Sequence, residues 1–289
     1  MNIGVIGLGL IGGSFALAAK KHLAGAVLFG VDQNTDHVKE AFEMGIIDQK
    51  LKSEHYAQMD VLILAIPVDA SNGLVLDMLD QINDNALLFD AGSTKASMCQ
   101  TVALHPKRNQ FLATHPIAGT EFSGPSAAFP ELYANQTQIL CETQKTRPDL
   151  LEWAVQFFRS IGMNIQEMDP QAHDQHIAYV SHISHISSFM LGKTVMEKEN
   201  DEQAIFDMAG SGFASTVRLA KSSPEMWTPI FEQNSENILE VLSEYISNLE
   251  QFKSLLENKD WSEMHNQMKG INAIKTILEG IPESNSNNN

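Results

Sequence analysis

Hydrophobic residues in the first half of the chain fall alternately into short continuous runs and into longer stretches with helical spacing. Short apolar runs bounded by turn residues are typical of buried strands, and apolar positions three and four apart are typical of helices. The pattern predicts strands at 2–6, 27–31, 60–66, 86–90, 111–114, 137–141 and 164–168, and helices at 10–21, 35–44, 70–82 and 148–161. Several strands are too apolar to leave one face in water, which indicates a mainly parallel sheet covered by helices on both sides.

Beyond residue 168 the helical spacing is the only clear pattern, and no strand is predicted. The longest helical stretch carries ten apolar positions: Ile238, Leu239, Val241, Leu242, Tyr245, Ile246, Leu249, Phe252, Leu255 and Leu256. We therefore predict an α/β domain at 1–168, an all-α domain at 169–282 and a polar, disordered tail at 283–289. Because these apolar faces are broader than a small domain can bury, we expect a homodimer formed through the helical domain.

Composition excludes several classes of protein. The 289 residues carry a formal net charge of −17, and no cluster of lysine and arginine offsets it, so we expect no nucleic acid partner. No apolar run approaches the roughly 20 residues that cross a bilayer, and we expect no membrane partner. The first residues lack the basic region of an export signal, and Cys99 and Cys141 form no CxxC pair. These features predict a cytoplasmic protein.

Three glycines between the first predicted strand and the first predicted helix form a GxGxxG pattern: Gly7, Gly9 and Gly12. In dinucleotide-binding sheets, the first glycine permits a tight turn, the second lets the backbone approach the pyrophosphate, and the third allows close packing of helix and strand. The start of the helix then offers N–H groups to the phosphates. We therefore predict a cofactor site along this loop, including Leu8, Leu10 and Ile11.

The nature of the cofactor is indicated by Asp32, which lies at the end of the second predicted strand, 20 residues after Gly12. A carboxylate there accepts hydrogen bonds from the adenosine ribose, and no arginine follows it to bind a 2′-phosphate. This arrangement predicts a Rossmann-type domain that binds NAD and not NADP. Ile66 and Pro67, at the carboxyl end of the third predicted strand, are expected to line the same cofactor. A glycine-rich loop in another kind of α/β protein is the alternative.

Polar segments follow two further predicted strands, DAGSTK at 90–95 and HPIAGTE at 115–121. The nicotinamide of a bound cofactor is expected near these strand ends, where a histidine can take the proton of a hydroxyl group while hydride leaves the same carbon. His115 is the candidate for this base, and Ser93 is the candidate to hydrogen-bond to it or to the reacting hydroxyl. The alternative is that Ser93 caps a helix starting at Thr94 and that His115 is a buried turn residue.

The predicted helical domain begins with a stretch that contains four histidines: His173, His176, His182 and His185. Without a neighbouring cysteine or an HExxH motif, this set does not predict a metal site. His182 and His185 lie three positions apart, so a helix would place both on one face, together with Tyr179 and Ser181. We expect that face to point into the cleft between the domains, and we assign no role to His173 or His176.

Arg218 follows a segment in which Gly210 and Gly212 relax the chain before a predicted helix. An arginine about one turn into such a helix can form a bidentate contact with a carboxylate. The alternative is a surface salt bridge, which is the commoner environment of a lone arginine.

Five segments, taken together and in order, resemble the prephenate dehydrogenase family, which includes the arogenate dehydrogenases. They are GLGLIGGS at 7–14, DAGSTK at 90–95, HPIAGTE with SG at 115–124, VSHISH at 180–185 and the stretch at 210–227. The resemblance implies NAD-dependent oxidative decarboxylation of prephenate to 4-hydroxyphenylpyruvate, carbon dioxide and NADH, in tyrosine biosynthesis. Arogenate or dual-specificity cyclohexadienyl dehydrogenase activity stays open. A β-hydroxyacid dehydrogenase, which typically uses a lysine of its helical domain, and a non-enzymatic NAD sensor are the two rival interpretations.

The resemblance also implies roles for individual residues. His115 matches the histidine that takes the proton of the ring hydroxyl, and Ser93 matches the serine that orients it. The substrate-binding residues are expected to be His185 and Arg218, which hold carboxylates, Glu121 at the entrance of the pocket, and Thr120 and His182. Because a dianionic substrate has to enter a protein of net negative charge, we expect Arg218 to be desolvated in a cationic pocket.

Overall fold

Eight strands form one sheet in the computed structural model, which describes residues 1–120, 122–202 and 205–279. They are β1 Asn2–Ile6, β2 Val27–Val31, β3 Gln49–Lys50, β4 Val61–Leu64, β5 Leu87–Asp90, β6 Phe111–Ile117, β7 Thr137–Cys141 and β8 Asn164–Met168. Their order across the sheet is β3-β2-β1-β4-β5-β6-β7-β8, and only the pairing of β6 with β7 is antiparallel. The first six positions follow the strand order of a dinucleotide-binding fold, with its crevice between β1 and β4.

Helices cover both faces of the sheet: α1 Leu10–His22, α2 Thr35–Glu43, α3 Val68–Gln81, α4 Ala96–Val102 and α5 Pro148–Ser160. Alternate residues of each strand point to opposite faces, so β4 contributes to two separate hydrophobic clusters. Val61 and Ile63 belong to the cluster that contains α1 and α5, whereas Leu62 and Leu64 belong to the cluster that contains α3 and α4. The predicted sheet with two covered faces is confirmed.

Two differences separate the observed strands from the predicted ones. The two-residue strand β3 is exposed and too short to produce a hydrophobic pattern, and it was not predicted from the sequence. Strand β6 extends to Ile117 and not to residue 114, because it continues to pair with β7 beyond the end of its apolar run, with His115 opposite Ile139. His115 therefore lies within a strand, and its interpretation as a turn residue is wrong.

The remainder of the described chain is helical. It contains α6 Pro170–Ile177, a short π-helix at Ala178–His182, α7 Ile183–Glu202, α8 Ser211–Thr216, α9 Pro224–Gln233, α10 Ser235–Glu257, α11 Trp261–Ile271 and α12 Ile274–Leu278. No strand occurs between residue 169 and residue 279 outside the two undescribed positions, which confirms an α/β domain followed by an all-α domain. The limits of the domains stay a prediction, and residues 280–282 and the predicted tail at 283–289 lie outside the described residues. None of the helices within the described ranges combines the length and apolar character of a membrane span.

The helical region packs against the carboxyl edge of the sheet. Val68, at the start of α3, is buried against Trp227 and Ile230 of α9. Beside this contact, Thr94 Oγ1 donates a hydrogen bond to Gln233 Oε1 at 2.7 Å. Ligands of such sheets bind at the carboxyl ends of the strands, so this junction closes the region where a substrate is expected.

Candidate active site

The glycine-rich loop connects β1 to α1 in a conformation that needs its glycines. Gly7 has φ of +93°, and a Cβ at this position would overlap the backbone of Ala65. A Cβ at Gly12 would overlap the carbonyl oxygen of Gly7. At Gly9 no atom lies within 4 Å of the Cβ position, so the backbone there faces open space. The protein itself excludes side chains at Gly7 and Gly12, whereas Gly9 leaves room for a group from outside the chain.

Asp32 directly follows β2, and its side chain is hydrogen-bonded to the glycine-rich loop. Its carboxylate accepts hydrogen bonds from Leu8 N at 2.8 Å and from Asn34 N at 2.9 Å. Each carboxylate oxygen can accept a further bond, so the half-buried group retains capacity for a ribose hydroxyl. Asp32, which was predicted from its distance in sequence to Gly12, thus lies against the glycine-rich loop.

The other predicted cofactor residues differ in what they present. The side chains of Leu8 and Leu10 are buried in the core, so only their backbone can face a cofactor. The carbonyl of Ile11 accepts a hydrogen bond from Tyr133 Oη at 2.6 Å. Ile66 lies beside Gly7, and Pro67 is exposed at the start of α3. Both residues therefore border the loop, as a cofactor-lining role requires.

Behind the loop that follows β5, a buried ion pair ties this loop to β6. Lys95 Nζ contacts the carboxylate of Asp90, and both side chains are almost fully buried. Lys95 Nζ also donates to the carbonyl of Thr114 at 2.7 Å, and Thr114 N donates to Asp90 Oδ1 at 3.0 Å. Sequence reasoning missed this pair, although opposite charges five positions apart in a motif after a buried strand were an available signal. The pair fixes the strand immediately before His115.

His115 is buried, and its Nδ1 lies 2.8 Å from Nε2 of His173. Burial lowers the pKa of His115 well below 6.5, and the charges of His173, Lys95 and His182 lower it further. The imidazole is therefore neutral at physiological pH and able to accept a proton. A neutral histidine at the carboxyl edge of the sheet is the protonation state that a general base requires.

Ser93 is half-buried in the loop after β5. Among the described residues no hydrogen bond joins Ser93 to His115, whose Nδ1 partner is His173. The alternative that Ser93 caps a helix is wrong, because α4 begins at Ala96 with Lys95 as its N-cap. Its action on a substrate hydroxyl stays a prediction.

His173 and Asp174, to which sequence reasoning assigned no role, lie behind His115. His173 Nδ1 is 2.7 Å from Asp174 Oδ1. The same carboxylate accepts hydrogen bonds from Lys95 N at 2.7 Å and from Ala96 N at 2.9 Å. Asp174 of α6 therefore caps α4 of the sheet domain from outside. An adjacent His-Asp pair carries no signal of such long-range contacts.

His182 is the last residue of the π-helix Ala178–His182 and is completely buried. The Asn234 amide donates to the carbonyl of Asp174 at 2.7 Å and lies 3.1 Å from His182 Nδ1 through the same nitrogen. Because that nitrogen can only donate, His182 Nδ1 accepts, and the proton of the neutral ring is on Nε2. Burial lowers the pKa of His182 to about 4. Its Nε2 has no partner within the described residues, which makes it a buried donor for a ligand oxygen.

His185 stacks on Trp227 with ring centroids 3.5 Å apart. Its Nδ1 lies 3.0 Å from the carbonyl of Ser181, so Nδ1 carries a proton and Nε2 of the neutral ring carries a lone pair. Burial lowers the pKa of His185, and the charge of Arg218 lowers it further. His182 and His185 both contact Trp227, but Tyr179 is exposed and donates to Glu244 at 3.2 Å. Tyr179 therefore does not join them in the cleft.

Two further predicted substrate residues, Arg218 and Thr120, lie toward the surface. Arg218 is exposed and begins the 3₁₀ helix Arg218–Lys221, which follows α8. The expected desolvation of Arg218 is not found in the described chain, and its contact with a carboxylate stays a prediction. Thr120 is half-buried after β6, and its hydroxyl accepts from Phe122 N at 3.2 Å. Glu121 lies outside the described residues. In the described ranges no group of three or more His, Cys, Asp or Glu side chains is arranged to hold a metal ion.

The arrangement combines a glycine cradle for a dinucleotide, a buried neutral histidine and a buried N–H donor at one edge of the sheet. Such a set can hold a nicotinamide cofactor and take a proton from a substrate hydroxyl as hydride leaves. This is dehydrogenase chemistry.

Comparisons with known proteins agree with this chemistry. Residues 15–167 match the family described as "Prephenate dehydrogenase, nucleotide-binding domain", and residues 169–270 match "Prephenate dehydrogenase, dimerization domain". The chain is 31% identical to prephenate dehydrogenase of Bacillus subtilis over 96% of its own length and 75% of that protein. It is 27% identical to cyclohexadienyl dehydrogenase of Zymomonas mobilis, over 90% of this chain and 89% of that one.

A solved structure matches nearly the whole fold. It is prephenate dehydrogenase of Aquifex aeolicus in complex with hydroxyphenyl propionate and NAD⁺, with a TM-score of 0.88 and 27% identity, covering 96% of this chain and 98% of that one. The two family matches together span most of the described chain. The chain therefore belongs to the prephenate dehydrogenase family of NAD-dependent oxidoreductases.

Proposed function

We propose that the chain uses NAD to oxidise and decarboxylate prephenate, giving 4-hydroxyphenylpyruvate, carbon dioxide and NADH for tyrosine biosynthesis. The observation that carries this proposal is the buried, neutral His115 at the edge of the sheet that also holds the glycine cradle. Family membership supports the reaction, and the position of the base supports the assignment of its proton-transfer step.

The residues of the loop fit NAD. The open space at Gly9 accommodates a pyrophosphate against the start of α1, and the Asp32 carboxylate suits the adenosine ribose. When bound, NAD accepts the hydride that leaves the ring carbon of the substrate. Ile66 and Pro67 border this site from the β4 side, and the Aquifex relative is a complex with NAD⁺.

His115 takes the proton of the ring hydroxyl as hydride leaves the carbon that bears it, so that a carbonyl forms. The bond to the ring carboxylate then breaks, its electron pair restores the aromatic ring, and carbon dioxide leaves. The resulting phenolate oxygen recovers the proton from His115. No net proton is released, and the imidazole returns to its neutral form for the next turnover.

We assign substrate binding to His182, which is buried at the domain junction, and to the other substrate residues predicted from the sequence. The Nε2–H group of His182 suits a carboxylate or carbonyl oxygen, because it is a buried donor without a protein partner in the described ranges. His185, Arg218, Thr120 and Glu121 are proposed to bind the substrate, and Ser93 is proposed to orient its hydroxyl. Neutral His185 presents a lone pair at Nε2, so it donates to an oxygen only when protonated.

Arogenate is the second candidate substrate, because it differs from prephenate only in an amino group in place of the keto group. The cyclohexadienyl dehydrogenase among the relatives keeps this candidate open. A β-hydroxyacid dehydrogenase is disfavoured by family membership. The buried lysine of the site, Lys95, belongs to the sheet domain and is paired with Asp90, unlike the helical-domain lysine of those enzymes.

We also propose a cytoplasmic homodimer. The second half of α10 exposes apolar side chains at helical spacing: Ile246, Leu249, Phe252 and Leu256. This exposed face lies in the region that matches a dimerization domain, and a second copy would cover it. Cys99 and Cys141 are free and buried, as expected for a reducing compartment. Sedimentation at several concentrations would test the dimer, with a monomer at all concentrations contradicting it.

NADH formation by the purified protein tests the proposed activity, with prephenate or arogenate as substrate and NAD or NADP as cofactor. We expect prephenate with NAD to react fastest. Faster reaction with arogenate would change the substrate but keep the chemistry. Absence of NADH with both substrates and both cofactors would contradict the proposal.

A further inference from the structure

We propose that His173 and Asp174 are positioning residues for the base: they hold a proton on Nδ1 of His115 and leave Nε2 as the atom that takes the substrate proton. The proposal rests on the proposed function, because it concerns the base of that reaction. The observation behind it is a continuous buried chain of hydrogen bonds from Asp174 through His173 to His115.

The direction of each bond follows from Asp174. Its two carboxylate oxygens accept backbone N–H groups at Lys95 and Ala96, which fixes the orientation of the group. An ionised carboxylate can only accept, so the bond at 2.7 Å is donated by His173 Nδ1. If His173 is neutral, its Nε2 carries a lone pair, and the 2.8 Å bond to His115 is donated by His115 Nδ1. This leaves the lone pair of His115 on Nε2.

The same chain stabilises the protonated base. When His115 takes a proton at Nε2, its Nδ1–H already has an acceptor, and the new charge is balanced by Asp174 through His173. Three groups oppose the charge electrostatically: His173 itself, Lys95, which is paired with Asp90, and His182. Asp174, at the far end of this chain of hydrogen bonds, is the acid that offsets the imidazolium through His173.

A purely structural role explains only part of this geometry. The cap on α4 needs the carboxylate of Asp174 but makes no use of the ring of His173. His173 is nevertheless almost fully buried, with both ring nitrogens bonded. The contacts that capping leaves unexplained are those that reach His115.

Nitrogen NMR of the histidine rings in the unsubstituted protein tests the tautomer without altering the fold. The protein is labelled with nitrogen-15 histidine, and the His115 signals are identified by their loss in His115→Asn. We expect an N–H at Nδ1 of His115 and a lone pair at Nε2. A proton on Nε2 with a lone pair on Nδ1 would overturn the proposal. This measurement needs no substrate, so it stays decisive even if the protein does not turn over prephenate, a result that would refute only the proposed function.

Substitutions test the effect on catalysis. His173→Leu removes the acceptor, and we expect kcat to fall about 10- to 100-fold, part of what a positioned base contributes, with little change in the KM for prephenate. The acid limb of the pH profile, where kcat/KM falls because His115 becomes protonated, should move to lower pH by about one unit. The reason is that protonated His115 loses the acceptor of its Nδ1–H group. His173→Gln keeps an acceptor oxygen and should recover part of the activity. The matched control is His176→Gln, at an exposed position of the same helix.

The pH profile separates the possible results. A shift of the acid limb to higher pH in His173→Leu would mean that His173 faces His115 as a cation, which would overturn the proposal. Equal losses in the Leu and Gln variants with an unchanged profile would mean that His173 only supports the fold, which would also overturn it. Asp174→Asn keeps a capping oxygen but removes the charge, and we expect it to shift the acid limb in the same direction as His173→Leu.

Discussion

The glycine-rich loop and the domain junction are built in different ways. In the loop, the Leu8–Asp32 hydrogen bond spans 24 positions of the chain, and the glycines are required by contacts of the backbone with itself. At the junction, the Lys95–Asp174 bond spans 79 positions and the Thr94–Gln233 bond spans 139. The cofactor site is thus a local structure of one domain, whereas the base and its partners are brought together only when the helical region packs on the sheet.

This difference predicts that binding and chemistry can be separated by substitution. Changes in the loop should affect NAD affinity through steric fit, and changes at the junction should affect turnover and stability through buried polar groups.

The largest separation is expected for His115→Asn. Loss of the base should reduce kcat by about 10²- to 10⁴-fold, while NAD binding stays nearly unchanged because the glycine loop is not altered. Steady-state kinetics and NAD titration by fluorescence would measure both quantities. Lost NAD affinity with turnover preserved would contradict the role of His115.

Within the loop, Gly12→Ala and Gly9→Ala form a matched pair. The new Cβ at Gly12 overlaps the Gly7 carbonyl, so we expect a loss of roughly 3 kcal/mol in the free energy of unfolding. The same change at Gly9 meets no protein atom and should weaken NAD binding with little effect on stability. Denaturant unfolding and NAD titration distinguish the two, and equal destabilisation by both variants would be inconsistent with this geometry.

The junction should respond to pH through His182. Its pKa of about 4 in the folded protein lies below the 6.5 of the free side chain, so the unfolded chain takes up a proton first as the pH falls. The free energy of unfolding is therefore unaffected by protonation of His182 above pH 6.5. It falls between pH 6.5 and pH 4, by about 3 kcal/mol at most. His182→Gln should flatten this part of the profile in denaturant unfolding. A slope identical to that of the unsubstituted protein would show that His182 does not carry it.

A smaller effect is expected for Asn234→Ala. It leaves the carbonyl of Asp174 and Nδ1 of His182 buried without a donor, which should cost about 2 kcal/mol in the free energy of unfolding. Asn237→Ala, which removes only a half-buried bond to Asn234, is the control. If the two variants were equally stable, the amide of Asn234 would not be holding the junction together.

The same contrast determines how much could be predicted from sequence. The strands, the helices, the glycine cradle and the position of Asp32 follow from periodicity and from motifs that act over short distances. His115 was identified within a motif, but its place inside β6 depends on pairing with β7. The contacts of His173 and Asp174 join segments that no local pattern connects.

The burial expected for Arg218 was not found, for a related reason. The need for a cation to bind a dianionic substrate follows from charge alone. The exposure of the Arg218 side chain depends on how the helices around it pack. The sequence therefore indicates the chemical type of such a residue but not its burial.

The most direct test of the account is the ratio of carbon dioxide to NADH formed from prephenate labelled in its ring carboxylate. If His115 completes an oxidation that is coupled to decarboxylation, each NADH should be accompanied by one labelled carbon dioxide from the start of the reaction. NADH formation without release of the label would contradict the account, because it would show simple oxidation of a hydroxyl group.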